Sequence, residues 1–205
     1  MWETLKDGGW FMIPIGVCLF FTLAIAIERV VNLRLSRFMD DELLEKIRHC
    51  LTLRQFDGAL QVCRSKNIMF NRLMETAIAY RELETHELRQ LLEDQSKQEA
   101  SHLERFMTIL RTVATIAPLL GLLGTVAGMI KVFHTLALVG LSEASNLSGG
   151  ISEALITTAA GMSVAIPTIV LHNYFERRAA TIFLKLEKRV IELVLLVRSQ
   201  YAVPA

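Results

Sequence analysis

The 205-residue chain contains no CxxC pair. Its three cysteines are scattered, Cys18 in an apolar run and Cys50 and Cys63 in a charged segment. This excludes a thiol redox motif and reads as unpaired structural thiols. His49, His86, His102, His134 and His172 show no ligand spacing, so no metal is expected. A formal net charge of +1 provides no basic face for nucleic acid. No nucleophile arrangement or phosphate loop supports an enzyme, and no cofactor is expected. Glycine and proline are absent from Ala59 to Ala117 and again from 176 to 200, which favours long uninterrupted helices. Lysine and arginine are absent from 135 to 150.

Three charge-free runs are present: Trp10 to Ile27, Thr112 to Ile130 and Ala154 to Phe175. At about 1.5 Å per residue each covers roughly 27–33 Å, against a hydrocarbon core of about 30 Å. The chain therefore reads as an all-α integral membrane protein with three transmembrane helices. Ala24-Ile25-Ala26 resembles a signal-peptide cleavage site. However, Glu3, Lys6 and Asp7 before the run are not net positive, while Arg29, Arg34 and Arg37 follow it. A secretory signal has the opposite order, so a retained anchor is expected.

Of the 22 lysines and arginines, Lys6 precedes the first run and Lys131 ends the second; the rest lie in 28–111 or beyond 175. The positive-inside rule places the N-terminus outside and the C-terminus inside. The expected organisation is an outer segment at 1–9, spans at 10–27, 112–133 and 151–175, and an outer loop at 134–150. A cytoplasmic helical region occupies 28–111, and a cytoplasmic helix 176–205.

The sequence predicts a helix that begins near Thr85 and runs unbroken into the second span, with Leu88, Leu91, Leu92, Leu103, Phe106 and Leu110 near helical spacing. Phe183, Leu186, Val190 and Val194 form a similar stripe, so the third span also extends into the cytoplasm. The charged face of Glu84, Glu87, Arg89, Glu93, Asp94 and Lys97 reads as one that meets water or neighbouring subunits. DDELLEKIRHCL and FDGALQVCRS read as two short amphipathic helices.

Within the spans, small residues recur. The second carries Pro118, Gly121, Gly124 and Gly128 beside Thr125; the third carries Ala154, Thr157, Thr158, Gly161, Ala165 and Pro167. One reading is helix packing, because small residues let backbones approach in lipid and hydroxyls bond across the interface. A second reading comes from depth. Thr125 lies 13 residues above the inner boundary at Thr112, and Thr158 lies 16 above the boundary at Tyr174. These convert to roughly 20 and 24 Å, one level within boundary error, where a ring of subunits would form a polar collar. The spans contain no Asp. Glu153 is either an interfacial carboxylate favoured by a helix N-terminus after Gly149 and Gly150 or a proton acceptor in an aqueous vestibule. Lys131 and His134 read as snorkelling to the outer interface, with Arg177 and Arg178 as inner anchors.

GLLGTVAGM followed by ISEALITTAAGMSVAIPTIVLHNYF resembles the MotA/TolQ/ExbB proton-channel family, and most closely its ExbB and TolQ branch. The likeness covers nearly the whole chain; three spans argue against the four-span MotA branch. The resemblance implies a homopentameric ring in a bacterial inner membrane, with spans two and three lining a pore. It implies an ExbD/TolR-like pair of single-span helices inside that pore, each supplying a membrane Asp, and H+ as the coupling ion. By motif position Thr125 and Thr158 correspond to the family's pore threonines and Glu153 to its acid. Thr157 is an extra hydroxyl. The function implied is a motor subunit working with a TonB-like protein in outer-membrane transport. Work with a TolA-like protein in envelope maintenance, or in gliding, would use the same wall. A non-conducting scaffold is the reading from a different class.

Overall fold

The computed structural model describes residues 9–33, 38–139 and 144–201, with side chains described at all of these except 101–105, 139, 144–147, 200 and 201. Most of the expected outer segment 1–9, together with Arg34, Arg37, residues 140–143 and the Leu103 side chain, lies outside that description. The described residues form six helices and no strand: α1 (Met12–Asn32), α2 (Asp41–Thr52), α3 (Phe56–Ser65), α4 (Met69–Ala79), α5 (Thr85–Val139) and α6 (Ala144–Tyr201). Each of α1, α5 and α6 holds a stretch long and apolar enough to cross a bilayer. The described residues are thus all-helical, with three candidate spans among them.

The unbroken helix from Thr85 is present, because nothing between Thr85 and Ala117 interrupts its i→i−4 ladder. Pro118 in α5 and Pro167 in α6 lie inside their helices. Each removes one backbone donor, and spans accept this where neighbouring groups re-satisfy the freed carbonyl. The segment 134–150, expected as a loop, is helical at 134–139 and again from Ala144. Gly149 and Gly150 therefore do not start the third helix, and Gly150 instead makes room for Val132.

The chain divides into two compact units, and α5 and α6 contribute to both. One unit comprises 30–105 with 175–205. Its core gathers Leu44, Ile47 and Leu51 of α2, Ala59 and Cys63 of α3, Phe70, Leu73, Met74, Ala77 and Ile78 of α4, Leu88 and Leu92 of α5, and Leu186, Val190, Leu193 and Val197 of α6. The two expected amphipathic helices are α2 and α3; α4, between them and α5, supplies the most completely buried face.

Local chemistry sets the ends of these short helices. Asp40 caps α2, its carboxylate accepting from the Glu42 N–H at 3.1 Å and from Lys66 Nζ at 2.8 Å. The Lys66 hydrogen bond, followed by the capping backbone groups, holds the Asp40 carboxyl below its ordinary value. Arg54 takes a left-handed φ of 58° in the turn from α2 to α3, and the Gln55 N–H reaches the Cys50 carbonyl at 2.9 Å. Arg72 of α4 grips Glu99 of α5 with two nitrogens, and its Nη1 donates to Asn67 at 2.6 Å. Arg48 of α2 pairs with Glu192 of α6.

The other unit comprises 1–29 with 106–174. Ile15 of α1 packs with Val113 and Ala117 of α5 and Val164 and Ala165 of α6. Buried among these spans, the Thr22 and Thr168 hydroxyls meet at 2.9 Å. Outward-facing side chains include Phe20, Leu23, Ile27, Leu119, Leu122, Ile130, Phe133, Leu155, Ile166 and Val170, all large and apolar. Arg29, at the end of this unit's α1, is buried with its guanidinium 5.0 Å over the Phe106 ring and beside Glu28.

Candidate functional site

The small residues of the two long helices meet along one antiparallel seam. On α5 it runs through Ala117, Gly121, Gly124, Gly128 and Val132, all buried and spaced four, three, four and four residues apart. On α6 it runs through Gly150, Ala154, Thr157 and Gly161, spaced four, three and four and likewise buried. Both series follow one stripe of a 3.6-residue helix.

The approach is close enough that glycine is required at several points. A Cβ at Gly124 would overlap Thr157 Cγ2, and one at Gly128 would lie 2.8 Å from Ala154 Cβ. A Cβ at Gly161 would lie 2.6 Å from the Ala117 carbonyl oxygen, and one at Gly121 would lie 3.0 Å from Thr158 Cα. At the other end Gly150 makes room for Val132, whose Cγ2 a Cβ there would overlap. Ala165, one turn beyond Gly161, is buried in the cluster with Ile15, Val113, Ala117 and Val164. Pro118 is half-buried and Pro167 exposed.

The hydroxyls divide between the seam and its shoulders. Thr157 is 1% exposed, opposite Gly124, and its hydroxyl donates back to the Glu153 carbonyl at 2.8 Å. Thr158 is half-buried, and its hydroxyl crosses to the Gly121 carbonyl at 2.9 Å. Thr125, also half-buried, lies one turn along α5 from Gly121, and its hydroxyl donates to the Leu122 carbonyl at 2.6 Å. Thr125 and Thr158 thus lie at neighbouring levels beside the seam, and Thr157 lies within it.

Glu153 stands apart from the threonines. Its Oε2 is 3.0 Å from Lys131 Nζ of α5. Because α6 begins at Ala144, Glu153 lies in the third turn, beyond the first-turn reach of the helix dipole. The N-terminal reading of this carboxylate is therefore replaced by an ion pair. Lys131, expected only to snorkel outward, supplies it. The five-residue step from Glu153 to Thr158, about 140° around a helix, puts the two on different sides of the seam.

Residues 64–188 match the family model described as the MotA/TolQ/ExbB proton channel family. An ExbB-like biopolymer transport protein of Synechocystis is 32% identical over 176 residues, which cover 82% of this chain and 81% of that protein. The biopolymer transport protein ExbB of Xanthomonas campestris is 36% identical over 89 residues, 43% of this chain and 35% of its own length. The Tol-Pal system protein TolQ of Pseudomonas aeruginosa is 40% identical over 81 residues, 40% of this chain and 35% of its own.

Proposed function

This chain belongs to the MotA/TolQ/ExbB proton channel family, and from that premise we propose that it is one wall of a proton-conducting motor in a bacterial inner membrane. Five copies form the ring, N-termini outside, and the moving acid is an Asp on each of two ExbD/TolR-like helices within it. Proton flow does mechanical work through a TonB-like protein on outer-membrane transport. A TolA-like protein in envelope maintenance is the alternative, since the relatives carry both ExbB and TolQ names.

The observation that carries this reading is the state of the two shoulder hydroxyls. Each threonine has one hydrogen to donate. Thr125 gives its hydrogen to Leu122 and Thr158 to Gly121, so what each oxygen still offers is acceptor lone pairs. An acceptor pair suits a neutral carboxylic acid, which arrives carrying a proton. To greet the ionised form, a hydroxyl must leave its carbonyl, at about 0.5–1.5 kcal/mol. Desolvation in an apolar pore also favours the neutral acid. The wall thus biases a passing Asp toward its protonated state, and releasing that proton requires the Asp to move on. The membrane potential supplies about 2.3 kcal/mol per charge per 100 mV, enough to overcome such a bias.

Thr158→Val against Thr158→Ser tests the reading in a purified complex with its partner. Valine should abolish proton flux while the complex stays assembled, and serine should retain it. The non-conducting scaffold is favoured by the seam itself, since Gly121, Gly124 and Gly128 all pack against α6 of the same chain. It predicts that both variants are silent. A TonB-like or TolA-like reading frame in the neighbouring genes separates the two systems.

A further inference from the structure

Beyond its span, α6 carries a face that its own unit leaves uncovered. Leu186, Val190, Leu193 and Val197 turn inward to the core of 30–105 with 175–205. Away from that core Leu184, Lys188, Ile191 and Leu195 recur at steps of four, three and four, the repeat of one helix face. Leu184 is 64% exposed, Ile191 52% and Leu195 64%. Single exposed apolar side chains are ordinary, but three along one face mark a contact surface. Lys188, set among them, has no ion-pair partner among the described residues. The bilayer is not the cover, because Leu195 lies 21 residues past Tyr174, about 31 Å of helix, with Arg177, Arg178, Lys185 and Glu187 between them.

Helix α5 of the same unit offers a complementary face. Leu88 and Leu92 turn inward to the core. Glu87, Leu91, Asp94 and Gln98 recur at the same steps of four, three and four, Leu91 half-buried and the others exposed. Glu87 has no ion-pair partner among the described residues, and Asp94 reaches only Lys97, at 3.8 Å. Laid antiparallel, the two faces step together: Leu184 opposite Gln98, Lys188 opposite Asp94, Ile191 opposite Leu91 and Leu195 opposite Glu87. A two-fold contact of the α6 face with itself would instead bring Lys188 of each copy to its centre, like charge beside like charge.

We propose, on the reading of the chain as one copy in a ring, that the partner for this face is a second copy of the chain. The 184–195 face of α6 seats on the 87–98 face of the next copy's α5. Rotation about an axis along the spans preserves the opposite directions of α5 and α6, as the antiparallel fit requires. The contact is heterologous: each copy uses both faces, and such contacts close into a ring when the rotation between copies returns to its start. The seam thus joins α5 to α6 within a chain, and these faces join α6 to the next α5.

Cysteine pairs in the full chain in its membrane test this. Copies carrying only Leu91→Cys, co-expressed with copies carrying only Ile191→Cys, should give a covalent dimer on mild oxidation. A chain carrying both should give a ladder of larger species, and each single variant alone should stay at the background of the native cysteines. Adding Lys188→Glu to the chain carrying both should cut the crosslink yield several-fold, and adding Asp94→Lys to that should recover most of it. Dimers from Ile191→Cys alone would overturn the proposal, since they need a two-fold contact. So would a mixture that gives no crosslink although its native mass and helix content match the wild type. The native mass of the wild type judges the ring separately: an oligomer without the crosslink overturns the seating and keeps the ring, whereas a monomer overturns both.

Discussion

The hydroxyl of Thr158 donates to the carbonyl of Gly121 at 2.9 Å, across the two longest helices and 37 residues apart in sequence. Two other pairings share its register: Thr157 against Gly124 and Ala154 against Gly128. Sliding one helix by a turn would bring Cβ atoms against backbone at several points at once. The seam therefore has one register, and it fixes which side of each helix is left for partners.

Gly124→Ala tests that register. The added methyl has nowhere to go but onto Thr157 Cγ2, and overpacking of this kind costs about 1–3 kcal/mol. The midpoint of thermal unfolding in detergent should fall. Adding Thr157→Ser, which removes Cγ2 and keeps the hydroxyl, should recover most of the loss. An unchanged midpoint in the single variant would mean the helices are further apart than described.

The buried Thr22 and Thr168 hydroxyls, 2.9 Å apart, also reach the Cys18 and Val164 carbonyls. Two hydrogens serve three contacts. Thr22→Val leaves the Thr168 oxygen with one contact fewer and should cost on the order of 1 kcal/mol, while Thr22→Val with Thr168→Val should cost less than the two single losses added. Chemical denaturation in detergent would show this non-additivity; strict additivity would separate the two hydroxyls.

The Asp40 cap predicts an acid limit for the helical unit of 30–105 with 175–205. Its folded carboxyl is held below the ordinary value, chiefly by Lys66. A depressed acid contributes stability that is full above the unfolded pKa, about 3.9, and is lost as pH falls through the folded one. Amide exchange at the start of α2 should therefore quicken below about pH 4. Asp40→Asn, which still accepts at the cap, should flatten that dependence. An identical acid profile in Asp40→Asn would move the cause elsewhere.

Cys63 is 3% exposed, and burial first, then Glu75 and Cys50, push its thiol up to about 12. The reactive species is the thiolate, so Cys63 should resist maleimide at pH 8 until the protein is denatured. Cys50, only partly buried, should label first. Mass spectrometry of labelled peptides checks the order, and fast native labelling of Cys63 would contradict the packing of α3.

The three long apolar helices and the unbroken helix from Thr85 are legible in the sequence because length, missing charge and missing breakers are local properties. The seam was legible only in part. The spacing of Gly121, Gly124 and Gly128 signals a close approach, but nothing in one chain's sequence says whether the approaching helix is its own α6 or a partner. Helix α4 carries a sequence signal of its own. Met69, Phe70, Leu73, Met74, Ala77 and Ile78 recur at helical spacing and form its buried face. The Lys131–Glu153 pair lay hidden for a different reason. It depends on the register of two helices, and on α6 starting at Ala144 rather than at the glycines.

The central claim is that this chain forms the wall and another protein carries the moving acid. Proton flux into vesicles, measured for the chain alone, for the complex with its ExbD/TolR-like partner, and for the complex with the partner's membrane Asp changed to Asn, tests it most directly. The account predicts flux only in the second preparation. Flux through this chain alone, or flux that survives loss of the partner's Asp, would contradict it.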